Sequence, residues 1–225
     1  IREGFTYALD RRHIFQKVYG EVYDPADVEH YLAPCPLPPT LRDPELKQHP
    51  FAISEANRLF QEAQFTPSHY TLKTFTIGGS DSDKICAQFI DQMKDRDIQI
   101  DWPNLNQAQW EEALRSGNFE ISFRQWFFEQ ETNIIANLFA TGASGNFVGY
   151  SNQELDKLLQ KYENVPITER LKVMHEMGNL INRDCPYIFL FSLPKIAAYR
   201  NDLLGEVIIN PDSFFEFINL WYVLR

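Results

Sequence analysis

The sequence has few basic residues and no run in which they cluster. Its 225 residues include 31 Asp or Glu against 21 Lys or Arg, which gives a formal net charge of −10 and an isoelectric point near 5.0. A protein surface that binds nucleic acid or an anionic membrane needs a basic patch. We therefore expect this chain to make no contact with nucleic acid.

Long apolar runs are also absent, although hydrophobic residues make up 44% of the chain. No run approaches the roughly 20 residues that a helix needs to cross a bilayer. The first residues carry neither the apolar core nor the cleavage site of a signal peptide. Because Ile1 enters a predicted helix without any lead-in, we expect the true start of the protein to lie upstream. The hydrophobic content predicts one sizeable folded core rather than disorder.

Cysteine is scarce. Cys35, Cys86 and Cys185 are far apart in the sequence, and none belongs to a CxxC pair or to a Cys/His pair at the spacing of a zinc site. We expect structural thiols without metal. One disulfide with a single thiol left over remains the alternative for an oxidising compartment.

Motifs of common enzymes and cofactor sites are missing. The five histidines form no HExxH pattern, there is no GxSxG, and the turn at 78–80 (GGS) lacks the rest of a nucleotide-binding loop. Asp10 and Asp156 are interpreted as solvated charges on helix faces. Glu129 and Glu131 could in principle form an acid/base pair, but neighbouring acids are common in an acidic protein. We predict neither an enzyme nor a bound cofactor.

Hydrophobic periodicity predicts an α/β protein. An amphipathic helix is predicted over 3–19, and the next segment, 21–50, carries seven of the 13 prolines. We expect this Pro-rich segment to lie over its own domain, with a PxxP ligand as the less favoured interpretation. The rest alternates between strands at 70–77, 98–101, from Phe119 to Trp126 and at 187–193, and helices from Ser54 and at 81–95, 107–116, 151–163 and 167–184.

Two features of this pattern make sharper predictions. The run at 187–193 is almost wholly apolar, which is typical of a central strand buried on both faces. Ser151 with Glu154 forms a capping box, which predicts that Ser151 is the N-cap of the helix that follows.

The candidate binding site lies where the strand from Phe119 ends. Its alternation of apolar and polar residues stops at Trp126, Phe127 and Phe128, and Glu129 follows directly. A carboxylate beside three aromatic rings is costly unless a cation meets it. We expect these four residues to contact a ligand. The alternative is that Glu129 is an exposed loop acid beside core aromatics.

Six stretches suggest a family by their order and spacing along nearly the whole chain: REGFTYALDRRHIFQKVYGEV, PLPP, AISEANRLFQEAQF, ALRSGNFEISFRQW, YSNQELDKLL and RDCPYIFLFSLPKIAAYRNDLLG. Together they resemble the C-terminal part of the extracytoplasmic solute-binding proteins of ABC transporters, in the oligopeptide/dipeptide/nickel class. Such proteins have two lobes that close on a ligand, and this chain is similar to the second. The resemblance implies a periplasmic-binding-protein-like α/β lobe over 1–195, with a mixed sheet flanked by helices. It also implies a tail over 196–225 that returns to a first lobe, which this sequence lacks.

The resemblance gives Glu129 a role. In the peptide-binding members an acidic residue three positions after the Trp of this strand pairs with the α-amino group of the ligand, and counting from Trp126 reaches Glu129. The family usually has Asp followed by Pro a few residues later, whereas here Glu129 is followed by Gln-Glu-Thr at 130–132. This departure leaves the reach of the carboxylate, and hence the ligand length, open.

The implied function is capture of a di- or oligopeptide outside the inner membrane and its delivery to an ABC transporter permease. The protein would then be periplasmic or extracytoplasmic, with or without a lipid anchor. One alternative is the ligand-sensing module of a cytoplasmic transcriptional regulator, and another is binding of a nickel chelate or other small solute. What precedes Ile1, a lipoprotein signal or a basic helix-turn-helix, would separate transport from regulation.

The isolation of the cysteines makes a direct prediction. Thiol titration of the denatured, unreduced chain should return three free thiols per molecule, because no pair is placed by a recognisable spacing. A value of one would establish a disulfide and with it an oxidising compartment.

Overall fold

The computed structural model describes residues 1–76, 80–103, 105–125, 131–193, 200, 202–205, 207, 220 and 222–223. The chain divides into two compact units, Ile1–Ser192 and Leu193–Arg225. The helices are α1 (Arg2–Ala8), α2 (Arg11–Tyr19), α3 (Val28–Tyr31), α4 (Ile53–Glu62), α5 (Ser80–Lys94), α6 (Gln107–Ser116), α7 (Glu131–Phe139), α8 (Gln153–Asn164) and α9 (Ile167–Asp184). The strands are β1 (Thr71–Phe75), β2 (Gln99–Asp101), β3 (Ile121–Ser122), β4 (Leu204–Gly205) and β5 (Tyr222–Val223). Short 3-10 helices occur at Pro25–Asp27, Pro39–Leu41 and Pro67–His69.

A parallel sheet with strand order β2-β1-β3 forms the centre of the first unit. Thr71 pairs with Gln99 on one side of β1, and Phe75 pairs with Ser122 on the other. Parallel strands need crossover connections, and α5 and α6 supply them as the sequence predicted. Gly117 closes α6 in the left-handed conformation at φ 68°. The α/β class is confirmed.

Two apolar clusters cover the two faces of this sheet. Leu72 packs with Phe89 and Met93 of α5 in a cluster that extends to α1 and α4. Phe75 packs instead with Trp110 and Leu114 of α6. Leu72 and Phe75 are three residues apart and therefore point to opposite faces of the strand. Helices thus flank the sheet on both sides.

The predicted single helix over 3–19 is wrong in one respect, because the chain breaks at Leu9–Asp10 into α1 and α2. Leu9 is extended (φ −96°, ψ 120°), and the Asp10 carboxylate caps α2 by accepting a hydrogen bond from the His13 amide at 2.9 Å. Gln92 of α5 holds the break, since its Oε1 accepts from the Asp10 amide at 2.8 Å. Asp10 is therefore a helix cap and not merely a solvated charge.

The Pro-rich segment lies over its own domain, as predicted. Cys35 and Leu37 are each only 1% exposed. Helix α9 approaches this segment closely: a Cβ added at Gly178 would lie 2.9 Å from Leu37 Cδ1. Cys35 and Leu37 thus anchor the segment in the core, while Pro36 is partly buried and Pro39 is exposed.

The predicted strand at 187–193 is not formed. Residues 187–190 have no regular structure, and Phe191 makes one isolated antiparallel bridge, to Leu32. Its neighbours bond to the Pro-rich segment, with Ala33 N donating to Leu190 O at 3.1 Å and Ser192 N to Tyr31 O at 2.8 Å. An apolar run alone cannot distinguish a buried strand from an extended segment packed between loops and helices.

Helices α7, α8 and α9 share a third apolar core, which contains the fully buried Ile135, Phe139, Leu155 and Ile181. The N-cap of α8 is Asn152 and not the predicted Ser151. The Asn152 side chain accepts from the amides of Glu154 and Leu155 at 2.8 and 3.4 Å. Asn and Ser are about equally good N-caps, so the capping-box pattern did not exclude a cap one residue after Ser151.

The three cysteines are free and buried. Burial raises the pKa of Cys35 to about 11 and that of Cys86 to about 12. It also raises the pKa of Cys185. The prediction of free thiols is confirmed, and all three are protonated at neutral pH.

The second unit contains an antiparallel pair. Leu204 of β4 pairs with Val223 of β5, and Gly205 pairs with Tyr222. Among the helices described anywhere in the chain, none combines the length and apolarity needed to cross a membrane.

The end of α9 is tied to the start of α8 by a carboxylate. Asp184 Oδ2 accepts hydrogen bonds from the Tyr150 hydroxyl at 2.7 Å and from Asn152 Nδ2 at 2.5 Å, and Oδ1 accepts from Arg183 Nε at 3.1 Å. Partial burial alone would raise the pKa of Asp184. The three hydrogen bonds outweigh burial, and the pKa is lowered below its usual value.

Asp184→Asn should lower the free energy of unfolding at pH 7 by about 1 to 3 kcal/mol, since hydrogen bonds to a charged acceptor are lost. The folded pKa lies below the unfolded one, which is near 3.9. The contribution is therefore complete above that pH and is lost as pH falls through the folded pKa. Urea unfolding at pH 7 and pH 3 should show a larger acid-induced loss for the unmodified chain than for the variant.

The matched control for this prediction is Asp91→Asn, because Asp91 is an exposed carboxylate on α5 whose nearest cation is Lys94 at 3.5 Å. It should change stability by no more than about 0.5 kcal/mol. Equal acid sensitivity of Asp184→Asn and the unmodified chain would refute the role of Asp184.

Candidate functional site

Strands β1, β2 and β3 are parallel and therefore end at one edge of the sheet, at Phe75, Asp101 and Ser122. The chain after β3 stays close to β1, since Phe123 N donates to Phe75 O at 3.4 Å. In open α/β sheets, ligands bind in the crevice outside the carboxyl ends of the strands. This edge with the segments that follow its strands, here named the carboxyl edge, is the candidate ligand-binding site.

The four predicted ligand contacts, Trp126, Phe127, Phe128 and Glu129, lie outside the described residues. The structure describes the chain up to Gln125 and again from Glu131, where α7 begins. In the sequence these four residues directly follow the part of the chain that leaves the carboxyl edge. Their contact with a ligand stays a prediction.

Arg124 is the last cation before those residues, and two aromatic rings flank it. Its guanidinium carbon lies 5.2 Å from the centre of the Trp110 ring and 5.4 Å from that of Phe147. Desolvation lowers the pKa of Arg124, while the neighbouring Tyr187 and Glu111 raise it. A guanidinium over a ring face is attracted by the ring quadrupole. Arg124 therefore links α6 to the loop that contains Phe147.

That loop, here named the 140–149 loop, joins α7 to the segment before α8 and is built around Asn146. Asn146 Nδ2 donates to Ala140 O at 3.1 Å and to Tyr150 O at 2.7 Å, and its Oδ1 accepts from Tyr150 N at 2.9 Å. The loop also approaches α7 closely, since a Cβ on Gly145 would lie 2.8 Å from Asn137 O. One side chain thus closes the loop on itself.

Asp156 of α8 holds the start of this loop. Its Oδ1 accepts a hydrogen bond from the Thr141 amide at 3.0 Å. Asp156 is partly buried, so it is a bond acceptor for the loop and not merely a solvated helix-face charge. The reason is tertiary, because the donor lies 15 residues away in the sequence.

Polar groups are also buried at the carboxyl edge. Thr76 Oγ1 donates to Asp83 Oδ1 of α5. Ser122 Oγ and Trp110 Nε1 are buried and have no hydrogen-bond partner in the described part of the chain. A buried polar group without a partner costs about 1 to 3 kcal/mol, so both groups favour a polar neighbour at this edge.

No sequence pattern singled out Arg124 or Phe147. Arg124 is a polar residue of the alternating run that begins at Phe119, and Phe147 lies in a Gly-containing loop at 141–149. The signal that could have found them is an aromatic residue in such a loop together with an arginine next to a strand end. Among the described residues, no group of three or more His, Cys, Asp or Glu side chains is arranged to hold a metal ion.

Comparisons with known proteins agree with this architecture. AppA from Bacillus subtilis, an oligopeptide-binding protein in complex with a nonapeptide, is 18% identical with a TM-score of 0.75, and the match covers 100% of this chain and 47% of that one. AppA from Clostridium difficile is 19% identical with a TM-score of 0.81, covering 99% and 47%. NikA from Staphylococcus aureus, in complex with Ni(L-His)2, is 18% identical with a TM-score of 0.72, covering 85% and 41%. No curated protein matches the chain.

These similarities show the fold, and this chain spans less than half the length of each of these proteins. The predicted periplasmic-binding-protein-like α/β fold is confirmed. The family model described as "Bacterial extracellular solute-binding proteins, family 5 Middle" matches residues 1–146. Its members are binding proteins and not enzymes, and their fold is that of the solute-binding components of ABC importers. This chain belongs to the bacterial extracellular solute-binding proteins, family 5.

Proposed function

We propose that the chain is the second lobe, over 1–195, of a two-lobed substrate-binding protein of an ABC importer, with a tail over 196–225 that returns to the first lobe. The protein captures peptides in the cleft between its lobes, outside the inner membrane, and delivers them to the transporter permease. The observation that carries this proposal is the parallel sheet β2-β1-β3 in a member of family 5, with the candidate contacts following the carboxyl end of β3.

Peptides are the favoured substrate for two reasons. AppA from Bacillus subtilis, which shares the fold, is an oligopeptide-binding protein with a nonapeptide bound. In this chain, Glu129 follows Trp126, Phe127 and Phe128, and a carboxylate in aromatic surroundings favours a cationic partner. The protonated amine of a peptide N-terminus supplies that cation. Glu129 then binds the amine, and the aromatic residues bury the first part of the peptide.

The described part of the carboxyl edge adds groups that suit a peptide. Ser122 and Trp110 bring buried polar groups without partners, and Arg124 brings a cation held between two rings. A peptide backbone carries both donors and acceptors and so suits such an edge.

Calorimetry of the complete, two-lobed protein tests the proposal. Peptides of two to nine residues, an L-histidine nickel chelate and free nickel are titrated separately. We expect heat of binding with peptides. Binding of the chelate alone would overturn the peptide assignment in favour of the nickel alternative, which the fold shared with NikA keeps open.

The 225-residue chain by itself should bind peptides weakly. One lobe offers half of a cleft, so much of the ligand stays in water, and an ion pair exposed to water contributes only roughly 0 to 1 kcal/mol. Calorimetry of this chain with the peptides used above should show no submicromolar affinity. Submicromolar binding would contradict the assignment of the chain as one lobe.

Glu129→Gln in the complete protein should weaken binding of peptides with a free N-terminus by roughly 2 to 5 kcal/mol, because it removes the charge from a desolvated pair. The same peptides with an acetylated N-terminus lack the amine charge, so the substitution should weaken their binding only slightly. The matched control is Glu112→Gln, which removes an exposed charge on α6. If free and acetylated peptides lose the same affinity, or if neither loses affinity, Glu129 does not bind the peptide amine.

A further inference from the structure

Arg124 connects two segments that are far apart in the sequence. Trp110 lies on α6 and is 3% exposed, whereas Phe147 lies on the 140–149 loop. The two rings approach the same guanidinium at 5.2 and 5.4 Å. Phe147 also packs against the cluster of Phe75, Trp110 and Leu114, which brings the loop into contact with the sheet and with α6.

The loop itself is internally stiff. Backbone hydrogen bonds run from Ala143 N to Ala140 O at 3.1 Å, from Phe147 N to Gly145 O at 3.0 Å and from Gly149 N to Asn146 O at 3.2 Å. The Asn146 side chain adds to these bonds, and the contact of Phe147 with Arg124 and Trp110 joins the loop to α6 and the sheet.

We propose that Arg124 is a positioning residue, which holds the 140–149 loop against α6 at the carboxyl edge and thereby governs ligand affinity. The affinity part of this proposal rests on the proposed function. The holding part rests only on the geometry of Arg124, Trp110 and Phe147. Residues 126–130 begin two positions after Arg124 and end where α7 begins. Helix α7 is followed directly by the 140–149 loop. Holding the loop therefore restrains the chain on both sides of the predicted contacts.

The planarity of the arginine side chain is essential to this arrangement. A guanidinium can lie flat against aromatic faces, whereas a lysine ammonium is a compact and strongly hydrated charge on a flexible stem. A lysine at position 124 should therefore hold the loop in part. A methionine, which keeps the length of the side chain without its charge, should not hold it. Cation–π pairs at partly exposed sites change an equilibrium constant by about 2- to 5-fold.

The first experiment tests the holding contact in the 225-residue chain, without any ligand. A double-mutant cycle combines Arg124→Met with Phe147→Leu and measures the unfolding equilibrium in urea. We expect a coupling of about 2- to 5-fold. Hydrogen exchange at the amides of Phe147 and Gly149 should accelerate in Arg124→Met and recover in part in Arg124→Lys.

Arg115→Met is the matched control, because Arg115 is an exposed arginine on α6 whose partner, Glu111, is one turn away at 3.3 Å. It should leave exchange in the loop unchanged. The proposal would be overturned if the two substitutions had additive effects on unfolding in the double-mutant cycle and if hydrogen exchange in the loop were unchanged in Arg124→Met.

The second experiment measures peptide affinity in the complete protein. Arg124→Met should weaken binding roughly 2- to 30-fold, with partial recovery in Arg124→Lys. Ile181→Val, a change in the fully buried α7–α9 core, lowers stability without touching the loop contact and should leave affinity unchanged. If Arg124→Met accelerates hydrogen exchange in the loop but leaves peptide affinity unchanged, Arg124 does not govern affinity and the positioning role is overturned. Absence of peptide binding by the unmodified complete protein would overturn the proposed function, while the exchange data would still decide whether Arg124 holds the loop.

Discussion

A single buried guanidinium, that of Arg11, joins segments of the first unit that no regular structure connects. Arg11 Nη1 donates to Ala33 O at 2.8 Å and to Phe189 O at 2.9 Å, and Nη2 donates to His49 O at 2.9 Å. The residue is 4% exposed, and burial lowers its pKa to about 10, so it remains charged at neutral pH. Charge-assisted hydrogen bonds to the three carbonyls offset the cost of burying the cation. Without Arg11, those carbonyls would be left buried without a donor.

The need for such a donor follows from the prolines. Each proline brings a carbonyl but no N–H, so the Pro-rich segment has more acceptors than its own backbone can satisfy. Side chains supply the remainder. Arg42 donates to Leu37 O at 2.7 Å and to Leu32 O at 2.9 Å, and Asn182 Nδ2 donates to Pro34 O at 2.8 Å. The segment at 187–193 then lies beside this loop as its partner, which is why it does not enter the sheet.

Local signals in the sequence predicted the elements whose ends are encoded locally. Helix α6 was predicted over its observed residues, because Gly117 marks its end, and α9 was also predicted correctly over 167–184. Signals that depend on a distant partner failed. The break at Leu9–Asp10 involves Gln92, 82 residues away, and the conformation of 187–193 depends on Arg11 and on the Pro-rich segment. Periodicity describes which residues are buried but not what buries them.

The candidate site likewise combines features that local sequence patterns predict with contacts between distant residues that they do not predict. Its position at the end of β3 followed from alternation and from the aromatic run, both of which are local patterns. The side chains that shape its surroundings could not be found in this way, because Arg124 meets Trp110 and Phe147 across 14 and 23 residues of sequence. In an α/β lobe the sheet sets where a ligand can bind, whereas loops such as 140–149 set what the ligand meets there. Contacts between loop and sheet, such as that of Phe147 with Arg124, are therefore the part of the candidate site that sequence periodicity does not encode.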